Sequence, residues 1–315
     1  MCVMNIFLGS NSCLHGLKMT GYVRGIITFF LYLVFTTIIF MVFLVFGLLK
    51  FLLPVNRLRR AFNRILDTMA STCWVYCANM THRVLTKTRF HVNGMSDVRI
   101  NRWCLLLSNH QSWVDILVII RVFYGKLPPY KFFIKKELLW LPMMGFCFWA
   151  LDFPIMKRYP KNKMEENPNL KGMDIDATRK ACEKFKTYPV TIMNFVEGTR
   201  FTPAKKRAQK SPYKHLLQPR AGGTALVLYA TGDQLEQILD VTIIYPGKTP
   251  GLWDYFCGRC REIIVHIQGL PANPDLVGDY FNDPDFRAHF QKWLNRIWAE
   301  KDARIDDYLG AQGKK

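Results

Sequence analysis

No charged residue occurs between Arg24 and Lys50, and the positions in between are almost wholly apolar. A run of this kind needs either a large core or a lipid phase. As an α-helix rising about 1.5 Å per residue it reaches roughly 37 Å, enough to cross a hydrocarbon core of about 30 Å. It leads into KFLLPVNRLRR rather than into a small-residue cleavage site, which separates it from a secretory signal. The pattern predicts a membrane helix over about 25–53. Lys50, Arg57, Arg59, Arg60 and Arg64 follow the run, against Lys18 and Arg24 before it. That excess predicts a cytoplasmic (inner) membrane protein whose C-terminal bulk faces the cytosol. Residues 1–20 read as a dispensable tail, with Met19 a better natural start.

Beyond Pro54, Leu58, Phe62, Ile65, Leu66, Met69, Cys73, Cys77, Met80 and Val84 recur at helical spacing opposite Arg59, Arg60, Asn63, Arg64 and Asp67. An amphipathic helix is expected over about 57–85. It has two possible roles, packing on the rest of the chain or lying in the interface with its basic face on anionic lipid. Residues 21–87 are read together as a membrane-anchoring region. The net charge of +19, from 43 Lys and Arg against 24 Asp and Glu, calls for an anionic partner. A half-hydrophobic chain with no nucleic-acid fold signature favours a membrane surface over nucleic acid. Nine cysteines at irregular spacing are unlike a secreted disulfide framework and read as reduced thiols.

From residue 88 to 315 the pattern is that of a globular α/β domain. Apolar runs at 103–107, 131–134, 190–196, 239–245 and 262–268 read as strands, with helical stretches between them. The alternation predicts a mixed sheet flanked by helices. A further amphipathic helix is expected over 286–309, packed on the domain or touching the interface.

NHQSWVD, residues 109–115, sits where the first of those strands gives way to a helix, with His110 five residues before Asp115. On a regular helix five residues is about 140° of rotation, so His110 must lie on the turn and Asp115 in the first helical turn for the two to meet. The carboxylate would then hold one imidazole nitrogen and leave the other to take a proton from a hydroxyl. A second reading of the same residues is a capping box, with Ser112 as N-cap and Asp115 at N3.

FVEGTR, residues 195–200, follows the apolar strand VTIMNF. Gly198 allows close backbone approach, Thr199 offers a hydroxyl and Arg200 a planar fork suited to phosphate, against the plain alternative of a strand-end turn with a solvated arginine. The basic loop PAKKRAQKSP follows at once. The stretch 135–158 is apolar and aromatic between Lys135 and Lys136 at one end and Arg158 at the other, surroundings that suit a lipid with a chain and a phosphate. VTIIYPG, residues 241–247, is a strand running into Pro246. CGRC at 257–260 lacks a second pair, so zinc would miss half its ligands, and no metal is expected.

In this order and spacing, NHQSWVD, the 135–158 stretch, FVEGTR and VTIIYPG resemble the glycerolipid acyltransferase family that includes the lysophosphatidate acyltransferases. The resemblance covers roughly residues 100–250. It implies transfer of a fatty acyl group from an acyl thioester, acyl-CoA or acyl-carrier protein, to the sn-2 hydroxyl of lysophosphatidate, with no cofactor. By the same resemblance His110 is the general base and Asp115 its orienting partner. Arg200, with Glu197, Gly198 and Thr199, serves the acceptor phosphate. Arg158 and the Lys135–Lys136 pair match the second motif, and Pro246 the fourth. Val196 stands where many members carry proline. No GxSxG elbow is present, and Ser112 is the only hydroxyl close enough for an acyl-enzyme route. The alternatives are another lysophospholipid acceptor, such as lysophosphatidylglycerol or lysocardiolipin, and a basic membrane-anchored binding protein without catalysis.

Overall fold

The computed structural model describes residues 20–52, 55–141, 143–153, 155–156 and 188–312. Its centre is a six-stranded sheet in the order β1-β8-β7-β2-β6-β3. The strands are β1 (Arg89–Asn93), β2 (Cys104–Ser108), β3 (Tyr130–Lys131), β6 (Thr191–Phe195), β7 (Gln237–Ile244) and β8 (Glu262–Leu270). β2 pairs in parallel with both β6 and β7, and β3 with β6, whereas β7 and β8 are antiparallel. The sheet is therefore mixed.

β2 and β7 are buried along their whole length; β2 therefore reads as an apolar run rather than an alternating strand, while β7 also buries Gln237, Asp240 and Thr242, with Asp240 paired to Lys301 at 2.6 Å. Successive β2 residues still point to opposite faces. Leu105 and Leu107 pack with α7 (Ala221–Thr231) and with Phe290, Leu294 and Trp298 of α9 (Pro284–Gln312). Cys104 and Leu106 pack with Val118 and Ile119 of α4 (Val114–Val122) and with Tyr255 and Phe256 of α8 (Leu252–Phe256). Two apolar layers, one on each face, enclose the sheet.

Two departures from the expected strands stand out. The 131–134 run is not one strand: β3 joins the main sheet, while β4 (Ile134–Lys135) pairs with β5 (Ile155–Met156) in a separate two-stranded sheet. The break falls at Phe132, whose ring packs against Phe148 and Phe153. β1 was not expected at all. RFHVN alternates exposed and half-buried positions at the sheet edge and carries no continuous apolar run.

The 57–85 helix is α2 (Asn56–Thr68) and α3 (Val75–Leu85), joined without a break by a π-helical turn at Met69–Trp74. Its packing role is seen directly. Leu66 and Asp67 are buried, while Arg57, Arg59, Arg60 and Arg64 stay exposed.

Helix α1 (Gly21–Leu52) is long and apolar enough to cross a membrane, and few of its residues are buried. It is also seated on the folded body near both ends. At one end Gly25 lies so close to Cys257 and Trp253 that a Cβ there would come within 2.6 Å of the cysteine sulfur. At the other, Lys50 donates to Asp152 Oδ2 at 2.7 Å and to the Ala150 carbonyl at 2.8 Å. Trp74 Nε1 donates to Thr36 Oγ1 at 2.9 Å midway. A second buried tie joins α2 to the sheet: Lys131 on β3 pairs with Asp67 at 2.7 Å, and Tyr188 donates to the other Asp67 oxygen at 2.5 Å. Residues 21–85 are thus packed along the domain and do not stand clear of it.

Candidate active site

The parallel strands β2, β6 and β7 end on one edge of the sheet, the place where open α/β folds leave a crevice. Asn109 follows β2. Its side chain accepts from the Ile243 N–H at 2.8 Å and donates to the Ile243 carbonyl at 2.9 Å. A side-chain amide thus stands in for one rung of the β2–β7 ladder, and the backbone is free to turn toward α4.

His110 lies on that turn and Asp115 in the first turn of α4. His110 Nδ1 is 2.8 Å from Asp115 Oδ2, the histidine side chain 12% and the aspartate 1% exposed. The same oxygen accepts from the N–H groups of Gln111 at 2.6 Å and Ser112 at 2.8 Å. One carboxylate thus both meets the imidazole and accepts from the N–H groups of the turn, although α4 begins at Val114 with Trp113, not Ser112, at its N-cap position. Ser112 Oγ accepts from the Val114 N–H at 3.1 Å and donates to the Pro250 carbonyl at 2.5 Å, so its hydroxyl is committed to the backbone. The imidazole stacks on Phe195 with centroids 4.0 Å apart.

The FVEGTR turn closes over His110 from the end of β6. Val196 donates its N–H to the Ser108 carbonyl at 3.2 Å, a bond that a proline at this position could not make. Glu197 departs from its expected place at a substrate phosphate. Its side chain points inward, with Oε1 accepting from the His110 N–H at 2.9 Å and Oε2 from the Leu217 N–H at 3.0 Å. A fully buried carboxyl with both oxygens engaged by backbone N–H groups has no free face for a phosphate, and here it holds the backbone of the histidine. Desolvation raises its pKa to about 7 against the lowering effect of those two N–H bonds. Phe201 completes the grip by donating to the His110 carbonyl at 2.7 Å.

Gly198 adopts a left-handed φ of +67°, and a Cβ there would sit 3.0 Å from the Arg220 side chain. Thr199 Oγ1 accepts from Lys205 Nζ at 2.6 Å, and the same ammonium reaches the Arg200 carbonyl at 3.1 Å. Arg200 is exposed, its guanidinium 4.6 Å from the centroid of the Trp113 ring. An exposed guanidinium beside an aromatic ring keeps its charge and its N–H donors for a further partner.

Pro246 follows β7 and is half-buried; the residue before it, Tyr245, donates its hydroxyl to Asp115 Oδ1 at 2.6 Å. Lys135 ends β4 and Lys136 opens the 3-10 turn that follows it. Arg158 is outside the described residues. No cluster of His, Cys, Asp and Glu suited to a metal occurs among the described residues. Asn109, Phe195, Lys205 and Tyr245 lie inside the segments marked by the sequence and went unassigned. Leu217 acts through its backbone N–H, for which residue type carries no signal.

The Acyltransferase family model matches residues 89–245. The 1-acyl-sn-glycerol-3-phosphate acyltransferase epsilon of Mus musculus is 25% identical over 227 residues, covering 65% of this chain and 57% of that protein. The gamma enzyme of Homo sapiens is 27% identical over 217 residues, 65% of this chain and 53% of that protein. The 2-acyl-1-lysophosphatidylinositol acyltransferase of Saccharomyces cerevisiae is 25% identical over 246 residues, 64% of this chain and 60% of that protein. The chain thus spans somewhat over half the length of these curated relatives. The crystal structure of a 1-acyl-sn-glycerophosphate acyltransferase from Thermotoga maritima covers 91% of this chain and 98% of its own, with TM-score 0.49 at 18% identity.

Proposed function

The chain belongs to the glycerolipid acyltransferase family, and from that premise we propose that it acylates the sn-2 hydroxyl of lysophosphatidate to give phosphatidate. The donor is an acyl thioester, of CoA or of acyl-carrier protein. The observation that carries this reading is the His110–Asp115 pair at 2.8 Å, with the histidine backbone held at both its N–H and its carbonyl by the turn that bears Arg200.

A hydroxyl becomes a competent nucleophile only as its proton leaves. In the proposed step the sn-2 oxygen attacks the thioester carbonyl while its proton passes to Nε2 of His110. Asp115 stabilises the imidazolium. The tetrahedral adduct collapses, the C–S bond breaks, and the departing thiolate takes the proton back, which restores the neutral base. Arg200 receives the acceptor phosphate through a charge-assisted fork, with Thr199 and Lys205 shaping the turn beneath it. Ser112, engaged at both its donor and its acceptor, takes no part as a nucleophile.

A second acceptor is favoured by one relative, whose name specifies lysophosphatidylinositol. Every acceptor of this class carries a phosphate, so Arg200 does not separate them. The experiment is thiol release by purified protein from acyl-CoA and acyl-carrier protein against a panel of lysophospholipids. Turnover with lysophosphatidate well above the others supports the proposal. Preference for an inositol, glycerol or cardiolipin headgroup replaces the acceptor, and no turnover with any lysolipid removes the activity.

The membrane is the second partner in this reading. Apolar side chains of α1 enter lipid, and the exposed arginines of α2 meet an anionic surface on the cytosolic side. Because α1 is seated on the domain near both ends, it holds the domain flat against the bilayer, with its outward face in the acyl region.

A further inference from the structure

We propose that Tyr245 is a positioning residue that sets the acid–base behaviour of the His110–Asp115 pair, through its hydrogen bond to the carboxylate oxygen that the histidine does not use. This rests on the reading of His110 as the base.

Asp115 is buried and accepts four hydrogen bonds. Three converge on Oδ2, all from residues 110–112 on the turn leading into α4, so that oxygen is held by local chain geometry. Oδ1 receives the phenol of Tyr245 at 2.6 Å, from a residue 130 positions away just past the end of β7. A carboxylate shares its negative charge over both oxygens. A donor on Oδ1 draws part of that charge away from Oδ2 and so moderates how strongly Asp115 stabilises an imidazolium. Too strong a hold would keep His110 protonated and useless as a base. Tyr245 is suited to the task because it stays a donor: burial first, then the neighbouring Asp115, push its phenol far above the ordinary range.

The groups around the pair come from several elements. Glu197 at the end of β6 holds the His110 N–H and feels Lys301 of α9, and Arg200 lies over Trp113 just before α4. Tyr255 of α8 and Cys260 stand behind Tyr245. Of these, only Tyr245 touches Asp115 directly.

The plain alternative is that the phenol merely satisfies a buried acceptor. The test compares wild type, Tyr245→Phe, and protein carrying 3-fluorotyrosine at 245, a more acidic phenol and stronger donor. Each is assayed as full-length protein for kcat and KM over pH, per folded molecule as judged by thermal melting, with His110→Ala in parallel. In Tyr245→Phe the acid limb of kcat/KM should move to higher pH by about half to one unit, since one hydrogen bond to the carboxylate is lost. With 3-fluorotyrosine it should move to lower pH, and KM for both substrates should hold, because Tyr245 touches neither. The fluorinated protein keeps the packing, so the test stands even if the phenylalanine variant folds poorly. A limb unmoved by fluorination overturns the proposal. Retained turnover in His110→Ala overturns the base reading and this proposal with it, whereas an inactive His110→Ala with an unmoved limb overturns this proposal alone.

Discussion

The carboxylate of Glu197 holds the backbone N–H of His110 at 2.9 Å and that of Leu217 at 3.0 Å, so the glutamate of one motif is a fastener for the histidine of another. Burial outweighs the lowering effect of these two N–H groups and of Lys301 and raises its pKa to about 7, above the ordinary 4.5. For an acid raised in the folded state, the stabilising contribution is full below about 4.5 and is lost as pH rises through about 7. In Glu197→Gln this pH dependence should vanish. The variant should also be less stable overall by about 1–3 kcal/mol, because its amide sets a donor against one of the two N–H groups. Melting temperatures at pH 5, 6, 7 and 8 check it: a wild-type minus variant difference that is constant over the series would show that this carboxyl does not titrate there.

His110→Ala should reduce acyl transfer by about 100- to 10,000-fold, the usual range for loss of a positioned general base. The fold should survive, since the ring contributes a stack on Phe195 and one contact with Asp115. Single-turnover rates alongside circular dichroism give the answer. Near-normal turnover would remove His110 from the chemistry.

Arg200→Ala should raise KM for the phosphate-bearing acceptor far more than for the acyl donor. The guanidinium is exposed over Trp113 and holds nothing in the core, so stability should change little. Kinetics varied in one substrate at a time separate the two effects. Equal losses for both substrates would make the residue a prop of the turn.

Asp67→Ala should destabilise the protein by about 3–5 kcal/mol, because it strands the ammonium of Lys131 in the interior. Glu236→Ala, which breaks the exposed pair with Arg102, should cost about 1 kcal/mol or less. Urea unfolding of both variants is the comparison. Removal of residues 1–55 belongs with the first of these: it uncovers the faces of Cys257, Trp253 and Phe146 and takes Lys50 from Asp152. The truncated protein is expected to aggregate rather than to survive as an independent catalytic domain.

Local pattern was enough for much of this anatomy. The charge-free run determines α1, because no charge interrupts the apolar pattern between Arg24 and Lys50, both of which lie inside the helix Gly21–Leu52. A strand buried on both faces announces itself as an apolar run, as at β2. The meeting of His110 with Asp115 was legible because five residues across a strand-to-helix turn have few ways to fold; Gly198 was marked for close backbone approach, whereas its left-handed φ appears only in the structure.

What only the tertiary structure decided are relationships across long stretches of chain. Tyr245 meets Asp115 across 130 positions, Asn109 meets Ile243 across 134, and Lys131 meets Asp67 across 64. Such partners are selected by sheet order and helix packing, and neither leaves a periodic trace in either segment. Glu197 is the sharpest case. Its residue type and motif position suggest a ligand at the mouth of the site, but a side chain at the end of a buried strand can point to solvent or inward with the same sequence around it. The two backbone N–H groups of His110 and Leu217, waiting unpaired on neighbouring segments, drew it inward.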